Sequence, residues 1–285
     1  MNREVEGLLR ELAPQVLGAL VRRFGHFDAA EDAVQEALLA AATQWPADGA
    51  LPDRPKAWLI TVASRRLTDQ LRADQARRRR EDRTVLLDPS AVTTTEVAAH
   101  DDTLTLLFLC CHPALTPPSQ VALTLRAVGG LTTAEIARAL LSPEATTATR
   151  ISRAKQTIRN AGATFRPPPP DELDERVRVV LHVLYLIFNE GYAATSGEEL
   201  QRVELTTEAI RLARTAHRLL PDDGEVAGLL ALLLLLDARR SARTTDAGDL
   251  VPLDDQDRSQ WDRATIDEAT TLLERTMATA PLGPY

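Results

Sequence analysis

Between Leu131 and Gly162 two sets of helix-start signals follow one another so closely that few folds accommodate them. Thr132 and Glu135 have the T-x-x-E spacing of a capping box, and Leu131 and Ile136 occupy the places of the hydrophobic staple that fixes the entry angle of a helix. This first helix is short, running through Ala137 to about Leu140. Ser142 then offers a fresh N-cap, with Pro143 at the first helical position and Glu144 in the first turn, where a carboxylate complements the helix dipole. Two helices joined this tightly, with small Ala137 at their crossing, predict a helix-turn-helix whose second helix, starting at Ser142, can enter a major groove. That second helix has two faces: Thr147, Ile151, Ala154 and Ile158 turn inward, while Thr146, Thr149, Arg153 and Gln156 turn outward, with Arg150 and Lys155 on the flanks where phosphates would lie. An ordinary helical hairpin with a solvated basic face shares the spacing. The coincidence of capping box, staple, short turn and basic exterior favours DNA.

The rest of the chain is read as helix as well. Of its 285 residues 44% are hydrophobic but only 4% aromatic, and the recurring Ala, Leu and Arg lose little side-chain freedom in a helix. Helical spacing of apolar residues runs from Val5 to Phe24 and again from Asp28 to Trp45, closed by Pro46 and Gly49. A Pro-containing loop over Thr43–Pro55 precedes a long helix from Lys56 to about Arg83, whose half beyond Arg72 is too polar for a core. Residues 84–100, with Pro, Ser and clustered Thr, read as a linker. A helical segment resumes over 101–163, and 164–170, ending in Pro167–Pro170, is an extended connector. Further helices are expected near 171–190, 198–220, 222–243 and 258–279, a stack that is tetratricopeptide-like in outline but lacks a clean repeat. The chain stops at Pro284-Tyr285 with no final cap, as a shortened chain would. The expected fold is all-α, in three domains: 1–83, 101–163 and 171–285.

Formal net charge is −8, which argues against nonspecific coating of nucleic acid, yet the charge is sorted by segment. Glu4, Glu6, Glu11, Asp28, Glu31, Asp32 and Glu36 crowd the first stretch, and arginines crowd 72–83 and 150–166. Cys110 and Cys111 are adjacent and cannot staple distant segments, which fits a reducing compartment. The N-terminus lacks the apolar core of a signal peptide, and the greasiest run, Ala227–Leu236, is too short to span a bilayer, so a soluble, cytoplasmic protein is expected. Cys110-Cys111-His112 lacks metal-ligand spacing and reads as a buried helix end. Asn189, Glu190 and Tyr192 read as a helix terminus stabilising its turn, with a ligand groove as the alternative. There is no Gly-rich phosphate loop, Ser-His-Asp set or H-E-x-x-H, so no enzyme, cofactor or metal is expected.

The phrase LTTAEIARALLSPEATTATRISRAKQTIR resembles domain 4 of bacterial sigma factors of the extracytoplasmic-function type, and residues 1–83 resemble their domain 2. The resemblance implies that FDAAEDAVQEALLAA, Phe27–Ala41, grips the clamp helices of core RNA polymerase through Glu31, Asp32, Gln35 and Glu36, with domain 4 on the flap. It implies that AWLITVASRRLTDQLRADQARRRR opens and reads the −10 element through Trp58, Arg65, Arg66, Asp69, Arg72, Arg77, Arg78, Arg79 and Arg80, and that the loop Thr43–Asp53 captures a flipped-out base. Alone, Trp58 also reads as a core residue and Asp69 as a partner of Arg72. The −35 element would fall to Thr146, Thr149, Arg150 and Arg153, with Lys155 on the backbone. The stretch DELDERVRVVLHVLYLIFNEGYAATSG and Leu253-Asp254-Asp255-Gln256-Asp257-Arg258 resemble the subfamily with a C-terminal helical, tetratricopeptide-like extension. The chain departs from the family at Arg65, where asparagine is common, at Ala148, where recognition helices are often basic, and at Leu141, which replaces the usual turn glycine. The implied function is promoter recognition and melting, with 171–285 folded against the sigma domains and regulating them. A ligand-responsive repressor acting without polymerase and a helical protein-binding scaffold are the rival readings.

Overall fold

The computed structural model describes residues 3–47, 51–81, 101–192, 202–245, 249–281 and 283–285. The linker expected at 84–100 lies outside them. Among the described residues the regular structure is helical: α1 (Arg3–Phe24), α2 (Phe27–Ala47), α3 (Pro55–Glu81), α4 (Thr103–Cys110), α5 (Pro117–Ala127), α6 (Thr133–Ala139), α7 (Glu144–Asn160), α8 (Leu173–Tyr192), α9 (Val203–Leu219), α10 (Gly224–Asp237) and α11 (Arg263–Thr279). Single 3-10 turns at Arg240–Ala242, Leu253–Asp255 and Arg258–Gln260, and one isolated antiparallel bridge between Thr244 and Leu250, complete it. Contacts cluster into two compact units, one of 1–114, 123–132 and 151–167, the other of 115–122, 133–150 and 168–285. Helix α7 begins in the second and ends in the first.

In the first unit α1, α2 and α3 pack on one another. The buried stripe of α2 is Ala30, Ala33, Val34, Ala37, Leu38, Ala41 and Trp45, and its alanines allow close approach. In α3 the stripe is Leu59, Ile60, Ala63 and Leu67, all fully buried, and Leu71, one turn on, is half-buried. Helix α2 continues through Pro46 to Ala47, two residues past the expected end, so Thr43–Ala47 are helical rather than loop. Burial of Trp45, whose ring meets Trp58 edge-on at 5.5 Å between centroids, anchors that last turn against α3. Helix α4, buried on nearly every side, packs on α1. The approach is made at Gly18, where a Cβ would come within 2.5 Å of Asp102 Cβ, and Arg22 reaches over it to Asp102 at 2.8 Å.

In the second unit α8 packs on α9 and α10, α9 on α10, and α10 on α11. Asp223 caps α10 by accepting from the amides of Glu225 and Val226 at 3.0 Å each, and Asp262 caps α11 by accepting from Thr265. The third C-terminal helix stops at Asp237, short of the expected 243, because the chain turns there into a 3-10 turn. The fourth starts at Arg263, five residues later than expected, after the turn Arg258–Gln260 that Asp257 caps.

Candidate nucleic-acid interface

Helix α6 starts immediately after Thr132, where the capping residue was expected, and the staple residues Leu131 and Ile136 are both buried. Its C-terminus closes by a Schellman arrangement: the Ser142 amide donates to Ala137 O at 2.9 Å and the Leu141 amide to Arg138 O at 3.2 Å. That geometry requires a left-handed residue, and Leu141 supplies it at φ +43°, a conformation that costs a side-chain-bearing residue about 1–2 kcal/mol. The same closure after α7 is made by Gly162 at φ +65°, without that strain. The turn therefore favours glycine, and Leu141 holds it at the cost of that strain. Helix α7 begins at Glu144, and its first intrahelical bond runs from the Thr147 amide to Pro143 O, so Ser142 stands one place outside the N-cap expected of it. Its hydroxyl instead meets the buried Thr147 hydroxyl at 2.6 Å.

The two faces of α7 are as expected. Thr147, Ile151, Ala154 and Ile158 are buried, and Thr146, Thr149, Arg153 and Gln156 are exposed. Arg150 is half-buried on the flank. Lys155 is largely covered and ion-paired: only 11% exposed, it lies 2.5 Å from Glu31 Oε2 and 3.4 Å from Asp32. Glu31, 1% exposed, also has Arg126 Nε 2.6 Å from Oε1, close enough for an ion pair though not aligned as a hydrogen bond. One turn away Arg159 pairs with Asp28. Three carboxylates of α2 thus face three cations from α5 and α7, and of the two assigned by resemblance as polymerase contacts Glu31 is the most deeply buried of the six while Asp32 is exposed. Beneath them Cys110 is fully buried, and burial pushes its thiol well up, the neighbouring Cys111 adding to the effect. Neither thiol is in a disulfide, both are buried, and Cys111 Sγ lies 3.6 Å from the Thr124 hydroxyl, so these cysteines sit at a buried helix end.

The remaining α2 residues divide. Asp32 and Glu36 are exposed, at 56% and 57%, and Gln35 is half-buried. Glu36 pairs with Arg66, and the two border a shallow depression with Leu39, Ala40, Thr43 and Gln44. Leu39, a large apolar side chain left exposed on this face, was missed by the motif; it falls out of phase with the Ala30–Ala41 stripe, which is the signal that marks it. On α3, Arg65, Asp69 and Arg72 are exposed and Trp58 is half-buried against Trp45. Arg77, Arg78, Arg79 and Arg80 belong to the last turns of α3, and their side chains lie outside the described residues.

At the end of α8, Tyr192 carries the Arg243 guanidinium 3.4 Å from its ring centroid, its hydroxyl accepts from Arg239 at 2.6 Å and its carbonyl from Arg243 at 2.7 Å. Glu190 accepts from Arg202. These polar groups join helices, as a terminus does. Among the described residues no cluster of His, Cys, Asp or Glu could hold a metal ion, and no helix is long and apolar enough to cross a membrane.

An exposed Thr/Arg face on α7 and an arginine-bearing face on α3 occur in one chain, and family models cover both helices in whole or large part. Residues 8–78 match sigma-70 region 2 and residues 105–158 match sigma-70 region 4. The chain belongs to the sigma-70 family, as an extracytoplasmic-function sigma factor. Residues 176–277 of this sigma factor match a family of unknown function, DUF6596. It is 42% identical to an uncharacterised protein of Rhizobium meliloti over 95% of its own length and 66% of that protein's. It is 33% identical to the ECF RNA polymerase sigma factor SigK of Mycobacterium tuberculosis over 36% of its length and 56% of that protein's, and 29% identical to the SigK of Mycobacterium ulcerans over 51% and 79%. The chain thus spans a little under two-thirds of the Rhizobium relative and just over half of the tuberculosis one. No solved structure matches it.

Proposed function

We propose that this sigma factor binds core RNA polymerase through the exposed acids of α2, opens and reads the −10 element with the outward face of α3, and reads the −35 element with Thr146, Thr149, Arg150 and Arg153 of α7. The supporting observation is the split of α7: Thr146, Thr149 and Arg153 outward and exposed, Arg150 half-buried on the flank, and Thr147, Ile151, Ala154 and Ile158 inward and buried, in a chain whose other matched region presents Arg65, Arg66, Asp69 and Arg72. Thr and Arg suit base edges and phosphates, and α3 follows a helix face on which separated bases can stack beside Trp58. Melting on this reading is driven by binding, with no hydrolysis. Asp32 and Glu36 meet polymerase directly, whereas Glu31 can do so only when Arg126 and Lys155 release it; the same release frees Lys155 for the phosphate contact expected of it. The protein acts in the cytoplasm, with residues 1–83, 101–163 and 171–285 as its functional domains, and 171–285 modulating promoter reading.

Transcription reconstituted from purified core polymerase, the full-length chain and a randomised promoter library tests this. The expected product set derives from templates sharing an upstream and a downstream element at fixed spacing, and depends on both proteins. Tight binding to a palindromic site without polymerase would replace this reading with a repressor.

A further inference from the structure

Helix α6 has one carbonyl that neither its own helix nor the turn after it can satisfy. Ala139 O would accept from the amide of residue 143 if the helix continued, but that residue is proline and has no N–H. The Schellman closure takes up Ala137 O and Arg138 O, and the Leu140 amide takes up Ile136 O, which leaves Ala139 O at the mouth of the turn. It accepts from Arg202 Nη1 at 2.6 Å, a donor sixty-three residues away. We propose that Arg202, which enters α9 of the DUF6596 region, is a positioning residue for the helix-turn-helix and sets its competence to read the −35 element; this rests on the reading of α7 as the promoter-reading helix.

Three features make Arg202 a strut. The same Nη1 lies 2.6 Å from Glu190 Oε1, so the guanidinium is fixed to α8 as well as to α6, and the side chain is 8% exposed. Its backbone is seated tightly: the Arg202 amide donates to Gly191 O at 2.7 Å, and a Cβ on Gly191 would stand 2.8 Å from Arg202 O and 2.7 Å from the Thr206 amide. Gly191 lets α8 and the start of α9 touch, and that contact sets where the arginine begins. The partner end is equally defined, since a cation at a helix C-terminus meets the negative end of the dipole and a charge-assisted bond to a carbonyl is short and directional.

The strut lands beside the strained residue. Leu141 at φ +43° turns the chain from α6 into α7, Ser142 closes on Thr147, and Thr146 and Thr149 follow within the first two turns of α7. A turn held by leucine rather than glycine is the less secure closure, and an arginine fixed to two other helices keeps it in one geometry. Residues 133–150, which hold α6, the turn and these two threonines, cluster in the same compact unit as 168–285. The region of unknown function thereby aims the first turns of the recognition helix.

The test uses holoenzyme assembled from core polymerase and the full-length chain as wild type, Arg202→Ala and Arg202→Lys. Equilibrium affinity is measured on a promoter selected by the wild type and on the same promoter with its upstream element scrambled. Arg202→Ala is expected to lose about ten-fold on the intact promoter, the scale of one charge-assisted hydrogen bond, and nothing on the scrambled one, with core binding unchanged. Arg202→Lys, which keeps a cationic donor, is expected to recover most of the loss. Equal losses on both promoters, no loss on either, or no recovery by lysine would overturn the proposal. Amide exchange guards against unfolding: if Arg202→Ala speeds exchange throughout α10, the lysine variant carries the test, and full wild-type affinity with faster exchange at Leu141–Thr147 overturns the proposal as well. A wild type that ignores the upstream element refutes the reading of α7 itself, and the inference with it.

Discussion

Replacing Lys155 by methionine leaves Glu31 buried with half of its cationic surroundings. The carboxylate is 1% exposed and has Lys155 at 2.5 Å and Arg126 at 2.6 Å, while the lysine is itself only 11% exposed, so both charges lie largely out of water. Stripping a buried charge of its partner costs about 3–5 kcal/mol. Here Arg126 remains in place, which halves the expected cost to roughly 2 kcal/mol, and the 3.4 Å contact to Asp32 adds only a few tenths because that carboxylate is 56% exposed and screened. In Lys155→Met with Glu31→Gln, where no buried charge is left unsatisfied by the lysine's removal, the second change should cost much less than it does alone. The double-mutant cycle should give a coupling of about 1.5 kcal/mol or more. Urea unfolding of the full-length chain, followed by the fluorescence of Trp45 and Trp58 in α2 and α3 with Trp261 changed to Phe, reads the unit that contains the triad. A single Lys155→Met variant within 0.5 kcal/mol of wild type, or an additive cycle, would refute the account of Glu31 as a buried, doubly held carboxylate.

Leu141→Gly should leave stability unchanged or raise it by up to about 1 kcal/mol, because relief of the φ +43° strain outweighs the added freedom of the unfolded glycine; the half-exposed leucine gives up little burial. A loss of 1 kcal/mol or more in thermal unfolding would contradict the strain. Gly18→Ala should cost about 1–3 kcal/mol, since the new methyl stands 2.5 Å from Asp102 Cβ where α1 meets the entry to α4, and denaturant unfolding of the same tryptophan signal measures it. Burial raises the Asp237 carboxyl above its ordinary range, against the opposing pull of Arg240. A carboxylate with a raised folded pKa favours the fold when protonated and loses that advantage as pH rises through the acid range, so Asp237→Asn should stabilise near pH 7 and match wild type near pH 3. Melting curves across that interval check the sign.

The local part of the fold was legible because local physics carries it. Helical spacing placed α1, α2 and α3 within a few residues, and the staple at Leu131 and Ile136, with Pro143 and Glu144 after the turn, located α6 and α7 almost to the residue. The misses are of one kind. Pro46 read as a stop, but the burial of Trp45 against α3 carries α2 to Ala47. Ser142 read as a cap because its residue type suits one, yet the Schellman closure uses its amide and Thr147 takes its hydroxyl. Asp237 ends α10 with no Gly or Pro to announce it. In the site, the exposed Thr/Arg face of α7 followed from helical periodicity, whereas the pairing of Lys155 with Glu31 joins residues 124 apart and Arg202 reaches Ala139 across 63. Contacts of that separation leave no periodic trace, so a lysine read as a phosphate contact and an arginine given no role acquired partners only from tertiary packing.

The central claim, that α7 reads upstream promoter bases for a polymerase-bound chain, is tested most directly by repeating promoter selection with Arg153→Ala. Holoenzyme with the variant should select templates whose upstream element has lost preference at one or two positions, by about ten-fold in affinity for the favoured base, while the downstream element and the spacing stay as the wild type chose them. An unchanged upstream element, or a uniform loss across both elements, would contradict it.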